Sequence, residues 1–152
     1  MKATTEKHPI EYSILDISTI QFATLVISTE PAVKIEQLRL NTSFSYGVDI
    51  SRNLFTCKLD ILAYNGESPL FKIETQASYR LSQESIDHYI NGNIFSMPVS
   101  DVSHFTSILY GATRGILVCK LEDTSIRHFV LPPIGLKEII TRPLNIELSG
   151  RL

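Results

Sequence analysis

The sequence predicts an α+β domain: a four-stranded antiparallel β-sheet with a long helix and a short C-terminal helix packed to one side. Three observations carry this. From Gln37 to Leu81 the chain alternates like a half-buried sheet. Leu38, Leu40, Phe44, Tyr46, Val48 and Ile50 share one parity, and Gln37, Arg39, Asn41, Ser43, Ser45 and Asp49 share the other. Strand side chains point to opposite faces with period two, so this ribbon has an apolar and a polar face. From about Ser100 to Leu121 the period becomes helical, with Val102, Phe105, Leu109, Ala112, Ile116 and Cys119 on one seam. Between these stretches lies Asn65-Gly66, the strongest hairpin signal in the chain, because Asn and Gly tolerate the positive φ of a primed turn.

The elements follow in order. Residues 1–8 are polar and are expected to be mobile, as are 149–152. Ile10 to Ile27 is rich in β-branched residues and reads as a first strand, with a bulge or bend at Asp16 to Thr19 because the run is long for one straight strand. Ser28 to Pro31 is a break, and Lys34 to Ile50 is the second strand. Asp49 to Asn53 supplies turn residues. Leu54 to Tyr64 is the third strand, with Phe55, Cys57, Leu59, Ile61 and Ala63 on one face, and Leu70 to Leu81 is the fourth. Short connections favour antiparallel pairing.

Ser82 is suited to cap a short helix over Gln83 to Asn91, with Gly92 at its left-handed end. Pro98 and Ser100 open the main helix, and Asp101 in its first turn complements the helix dipole. Ile126 to Leu131 reads as extended, Pro132-Pro133 turns the chain, and Leu136 to Ile140 is a short helix ended by Pro143.

A chain of 152 residues with 43% hydrophobic and 20% charged residues fits a single globular domain spanning 1–152. A formal net charge of −2 offers no general attraction to nucleic acid or anionic lipid. No stretch approaches the ~20 apolar residues of a membrane span, and Met1 to His8 lacks the apolar core of a secretory signal. The expected location is therefore the cytoplasm. Cys57 and Cys119, the only cysteines, have no CxxC partner and are expected as buried free thiols.

No catalytic motif is present. His8, His88, His104 and His128 lack metal-ligand spacing, and no GxxxxGK[ST] phosphate loop occurs. The expectations are no enzyme activity, no metal and no cofactor. Two surfaces remain. Gly111 and Gly115 cost the helix about 1 kcal/mol each relative to Ala, and with Ala112 they make a face that another backbone could approach closely. That face fits either a subunit contact or the chain's own sheet. Arg114 beside it could pair with a carboxylate or face a neighbouring subunit. The aromatics Phe44, Tyr46, Phe71 and Tyr79 recur on single parities of strands two and four, and exposed aromatic clusters mark interaction sites.

The stretches Ala112-Thr113-Arg114-Gly115-Ile116-Leu117 and Phe129-Val130-Leu131-Pro132-Pro133-Ile134, with Tyr12 to Phe22 and Phe71 to Tyr79, resemble the SecB family of protein-export chaperones, nearest to its divergent SecB-like branch. The resemblance implies a homotetramer, built as a dimer of dimers, that holds unfolded polypeptide clients in apolar grooves. It also implies service either to protein export or to one dedicated partner such as an antitoxin. Two departures put export, and the translocase motor as a partner, in question. The charge is nearly balanced, with Lys+Arg 14 against Asp+Glu 16, and the tail after Pro143 is short and does not look like the family tail that docks the motor.

The reading is an ATP-independent holdase. Phe44, Tyr46, Phe71 and Tyr79 would contact clients, and Gly111, Ala112 and Gly115 would lie at an oligomer interface. The alternative is an adaptor dedicated to one folded or antitoxin-like partner.

Overall fold

The computed structural model describes residues 9–25 and 35–149. The termini 1–8 and 150–152, and the break at Ser28 to Pro31, lie outside the described residues. Strands β1 (Tyr12–Thr24), β2 (Leu38–Asp49), β3 (Leu54–Asn65) and β4 (Ser68–Leu81) form one antiparallel sheet in the order β1-β4-β3-β2. The long helix α2 (Val99–Lys120) covers β3 and β4. Helix α1 (Gln83–Tyr89) precedes it and the short α3 (Leu136–Ile139) follows. This is the architecture the sequence predicts.

The alternation is cleanest in the two central strands. Phe55, Cys57, Leu59, Ile61 and Ala63 of β3 are buried, as are Phe71, Ile73, Thr75, Ala77, Tyr79 and Leu81 of β4. On α2 the buried set is Val102, Phe105, Thr106, Leu109, Tyr110, Thr113 and Leu117. Each fully buried Phe or Leu contributes roughly 1.5–3 kcal/mol relative to exposure. One polar pair sits in this core, with Thr75 Oγ1 and Thr113 Oγ1 2.8 Å apart. Thr113 gives its own proton to the Leu109 carbonyl, so Thr75 is the donor between the two, and neither hydroxyl is left unpaired.

The turns obey local chemistry. Asn53 adopts φ 55, a left-handed value that Asn tolerates, and its N–H closes onto the Ile50 carbonyl at 3.3 Å after a 3-10 turn at Ile50–Arg52. In the β3–β4 hairpin Asn65 pairs with Ser68, so the loop residues are Gly66 and Glu67. Only Gly66 takes a positive φ, 62, so the glycine fills the first central position, as in a type II′ turn, and Asn65 remains in its strand. Strand β1 carries two register shifts, which leave Leu15 and Ile20 without cross-strand partners in β4. The expected bend in this strand is thus two separate bulges flanking Asp16 to Thr19.

Three segments differ from expectation. Helix α1 ends at Tyr89, and Gly92 (φ 63) turns a hairpin between β5 (Ile90–Asn91) and β6 (Ile94–Met97), so its positive φ serves a turn and not a helix cap. Strand β7 (Leu144–Glu147) joins this hairpin to make a second, three-stranded sheet in the order β5-β6-β7. Ile126 to His128 is a series of turns, not an extended strand. Its fold follows from local bonds: the Phe129 N–H reaches the Ile126 carbonyl and the Arg127 N–H reaches Thr124.

Candidate functional site

Helix α2 lies over β3 and β4, so the inner face of the edge strand β2 is only half covered. Phe44 and Tyr46 stand on that face, opposite Leu59 and Cys57 of β3, and both are half-buried. A groove of about 380 Å³ opens there. Its floor is Thr42, Phe44 and Tyr46; Val102 near the start of α2 makes one wall, and the chain from Ile139 to Leu144 makes the other. The volume matches the lower range of ligand pockets, so it admits side chains and not a folded domain.

The floor is held rigidly. The Tyr46 ring stacks on Phe55 at 6.0 Å between centroids, 8° from parallel, and its hydroxyl lies 2.8 Å from Thr106 Oγ1. Thr106 gives its own proton to the Val102 carbonyl at 2.7 Å, so Tyr46 is the donor. Burial raises the Tyr46 hydroxyl above its ordinary 10.0, an effect opposed by the bond to Thr106 and reinforced by the Cys57 thiol. The phenol therefore stays protonated at neutral pH and keeps donating.

The other two aromatics expected at a client surface are elsewhere, and that assignment is corrected. Phe71 and Tyr79 are fully enclosed. Both stand on β4, a central strand with neighbours on each side and α2 above it. Tyr79 packs on Phe105 at 4.6 Å and donates its hydroxyl to the Phe105 carbonyl at 2.8 Å. Phe71 packs against Phe129 at 5.7 Å. A client could reach neither ring without opening the core.

Gly111 and Gly115 lie on the outer face of α2, exposed, with Ala112 half-buried between them. A Cβ built on either glycine meets nothing within 4 Å, so this subunit's own packing does not require glycine there. Arg114 turns inward, donating from Nε to the Leu131 carbonyl at 2.8 Å, while Tyr110 bonds the Pro132 carbonyl. These two bonds hold the segment around the paired prolines against the helix, so Arg114 bonds within its own chain. Cys57 is buried as expected, but Cys119 is exposed on α2.

A second cleft, of about 1340 Å³, is larger, and Glu11, Glu84, Asp101 and His104 are among the residues that line it. Within it the Tyr12 hydroxyl and His104 Nε2 lie 2.6 Å apart, and Tyr89 donates to Asp101 at 2.8 Å. These bonds tie β1 and α1 to the first turns of α2. Among the described residues no three His, Cys, Asp or Glu side chains converge as metal ligands, and no helix is long and apolar enough to cross a membrane.

Sequence reasoning missed the groove's outer wall, Ile139 to Leu144, and the contribution of Val102. The alternation Leu144-Asn145-Ile146-Glu147 was the available signal, since it has the period of a strand.

The four-stranded antiparallel sheet, the long helix and the short C-terminal helix define an α+β fold. Among solved structures the chain is similar to a SecB-like chaperone of Mycobacterium tuberculosis in complex with a ChAD peptide from the HigA1 antitoxin. The TM-score is 0.50 at 14% sequence identity, covering 82% of this chain and 91% of that one. The likeness is one of fold. No family model and no curated relative matches the chain.

Proposed function

We propose that this protein is a non-enzymatic, ATP-independent chaperone that holds non-native polypeptide in the groove beside β2. The observation that carries the proposal is an aromatic floor, Phe44 and Tyr46, left half-open on an edge strand. An extended client would gain apolar contacts from that floor and main-chain hydrogen bonds from the β2 edge. β2 pairs with β3 without a bulge along its whole length, whereas bulges interrupt β1. Bulges blunt an edge against strand addition, so β2 is the better template. The working unit in this reading is one domain, 1–152, in a cytoplasmic homotetramer. Its contacts are the outer face of α2 at Gly111, Ala112 and Gly115 and the exposed Ile14, Leu15 and Ile20 of β1.

A second reading is favoured by one comparison. The similar mycobacterial chaperone is bound to an antitoxin peptide, which suits a chaperone dedicated to one such partner. Aggregation assays with several unrelated denatured substrates separate the two. A general holdase at molar excess suppresses aggregation of most of them, and Phe44→Ser weakens this while circular dichroism stays unchanged. No protection of any substrate rejects the general role and leaves the dedicated one.

A further inference from the structure

Among the described residues the groove has one charged side chain. Its floor is apolar at Phe44 and its walls at Val102, Ile139 and Leu144, and among the described residues Arg142 is the only charged side chain lining it. Arg142 is exposed, and no ion pair or hydrogen bond engages it among the described residues. A guanidinium at the rim of an apolar slot offers a fork of donors matched to a carboxylate and repels a cation. The slot also imposes a repeat. Thr42, Phe44 and Tyr46 share one parity of β2, so an added strand would present alternate side chains to it about 7 Å apart.

Resting on the polypeptide-holding reading of this groove, we propose that it selects extended segments in which an apolar side chain lies next to a carboxylate, with Arg142 as the recognising cation. Basic apolar segments are disfavoured. The carboxylate can come from Asp or Glu or from a chain terminus, since the guanidinium meets the same planar group in either case.

The test uses the full chain and a short fluorescein-labelled peptide of alternating Ser and Phe in four forms. Three are blocked at both ends and carry Glu, Gln or Lys beside the last Phe; the fourth carries Gln and a free C-terminal carboxylate. Fluorescence anisotropy at low salt should show the Glu form binding about fivefold tighter than blocked Gln, the upper range for an exposed ion pair, with Lys weakest. Tighter binding of the free-carboxylate form over blocked Gln would admit chain termini as well. Arg142→Gln should erase the preference for Glu over Gln, and Arg142→Glu should invert it toward Lys. Arg142 has no hydrogen bond or ion pair among the described residues, so neither variant leaves a polar partner unpaired, and circular dichroism checks the fold.

Equal binding of Glu, Gln and Lys forms to the wild-type protein overturns the inference. So does a Glu preference that survives Arg142→Gln. If no peptide binds yet denatured substrates are still protected, the groove is not the contact and the inference falls while the holding function stands. Failure of both peptide binding and protection removes the two together.

Discussion

The hydroxyl of Tyr46 lies 2.8 Å from that of Thr106, and this contact joins the edge strand β2 to the helix that otherwise covers only the sheet centre. The inner face of β2 otherwise holds by apolar packing, with Leu40, Phe44 and Val48 against the core and Tyr46 stacked on Phe55. Tyr46→Phe keeps the stack on Phe55 and removes the donor. Thr106 retains its bond to Val102, so no buried group loses its last partner. The expected loss is about 1 kcal/mol in the urea unfolding free energy, with client holding intact. A loss of holding at unchanged stability would mean that the hydroxyl itself contacts the client.

Phe44 and Phe71 should respond in opposite ways to the same substitution. Phe44→Ser empties part of the groove floor and should weaken holding while the fold persists. Phe71→Ser opens a cavity in an enclosed site and buries a hydroxyl, so it should cost at least the roughly 3–5 kcal/mol of a Phe truncation. Thermal unfolding reads the difference. Equal stability of the two variants would remove the distinction between groove and core.

Gly115 tests the proposed assembly. On the isolated subunit a side chain there meets open space, and replacing glycine in a helix gains up to about 1 kcal/mol. At a close helix contact the same side chain overpacks, costing about 1–3 kcal/mol. Gly115→Leu should therefore shift the oligomer toward smaller species in light scattering without unfolding the subunit. An unchanged mass would place the contact elsewhere.

Alkaline pH should unfold the protein. Burial raises Tyr79, Tyr89 and Tyr110 above their ordinary 10.0, and the Asp101 carboxylate raises Tyr89 further. Burial likewise raises Cys57 above 9.0. Below pH 9.0 both states keep these protons and stability does not depend on them. Above it the unfolded chain releases protons that the folded chain holds, so stability falls as pH climbs through 10.0 toward the raised folded values. Urea midpoints at successive pH values should decline together with the onset of tyrosinate absorbance. Reversible tyrosine ionisation near 10 in all these groups, with the fold intact, would contradict their burial.

Periodicity determined the class of this protein before any tertiary contact. Alternation in β3 and β4 and the first half of the α2 seam, Val102, Phe105 and Leu109, state which faces are apolar, whereas farther along α2 Thr113 and Leu117 are buried in place of Ala112, Ile116 and Cys119, and local turn chemistry at Asn53 and Gly66 marks the strand ends. An apolar face must be covered, so sheet and helix had to pack together. Periodicity does not state which strands end at the centre. Phe44, Tyr46, Phe71 and Tyr79 look alike along the chain, yet two floor a groove and two lie in the core. That outcome depends on strand order, which sets each strand's neighbours and the reach of α2, and strand order is a long-range property. The same holds for Gly92 and Arg142. A left-handed glycine suits a helix end or a hairpin equally, and only the pairing of β5, β6 and β7 decided for the hairpin. That sheet also carries the chain from Ile139 to Leu144 past β2, which is how an arginine distant in sequence comes to stand at the rim of the aromatic floor.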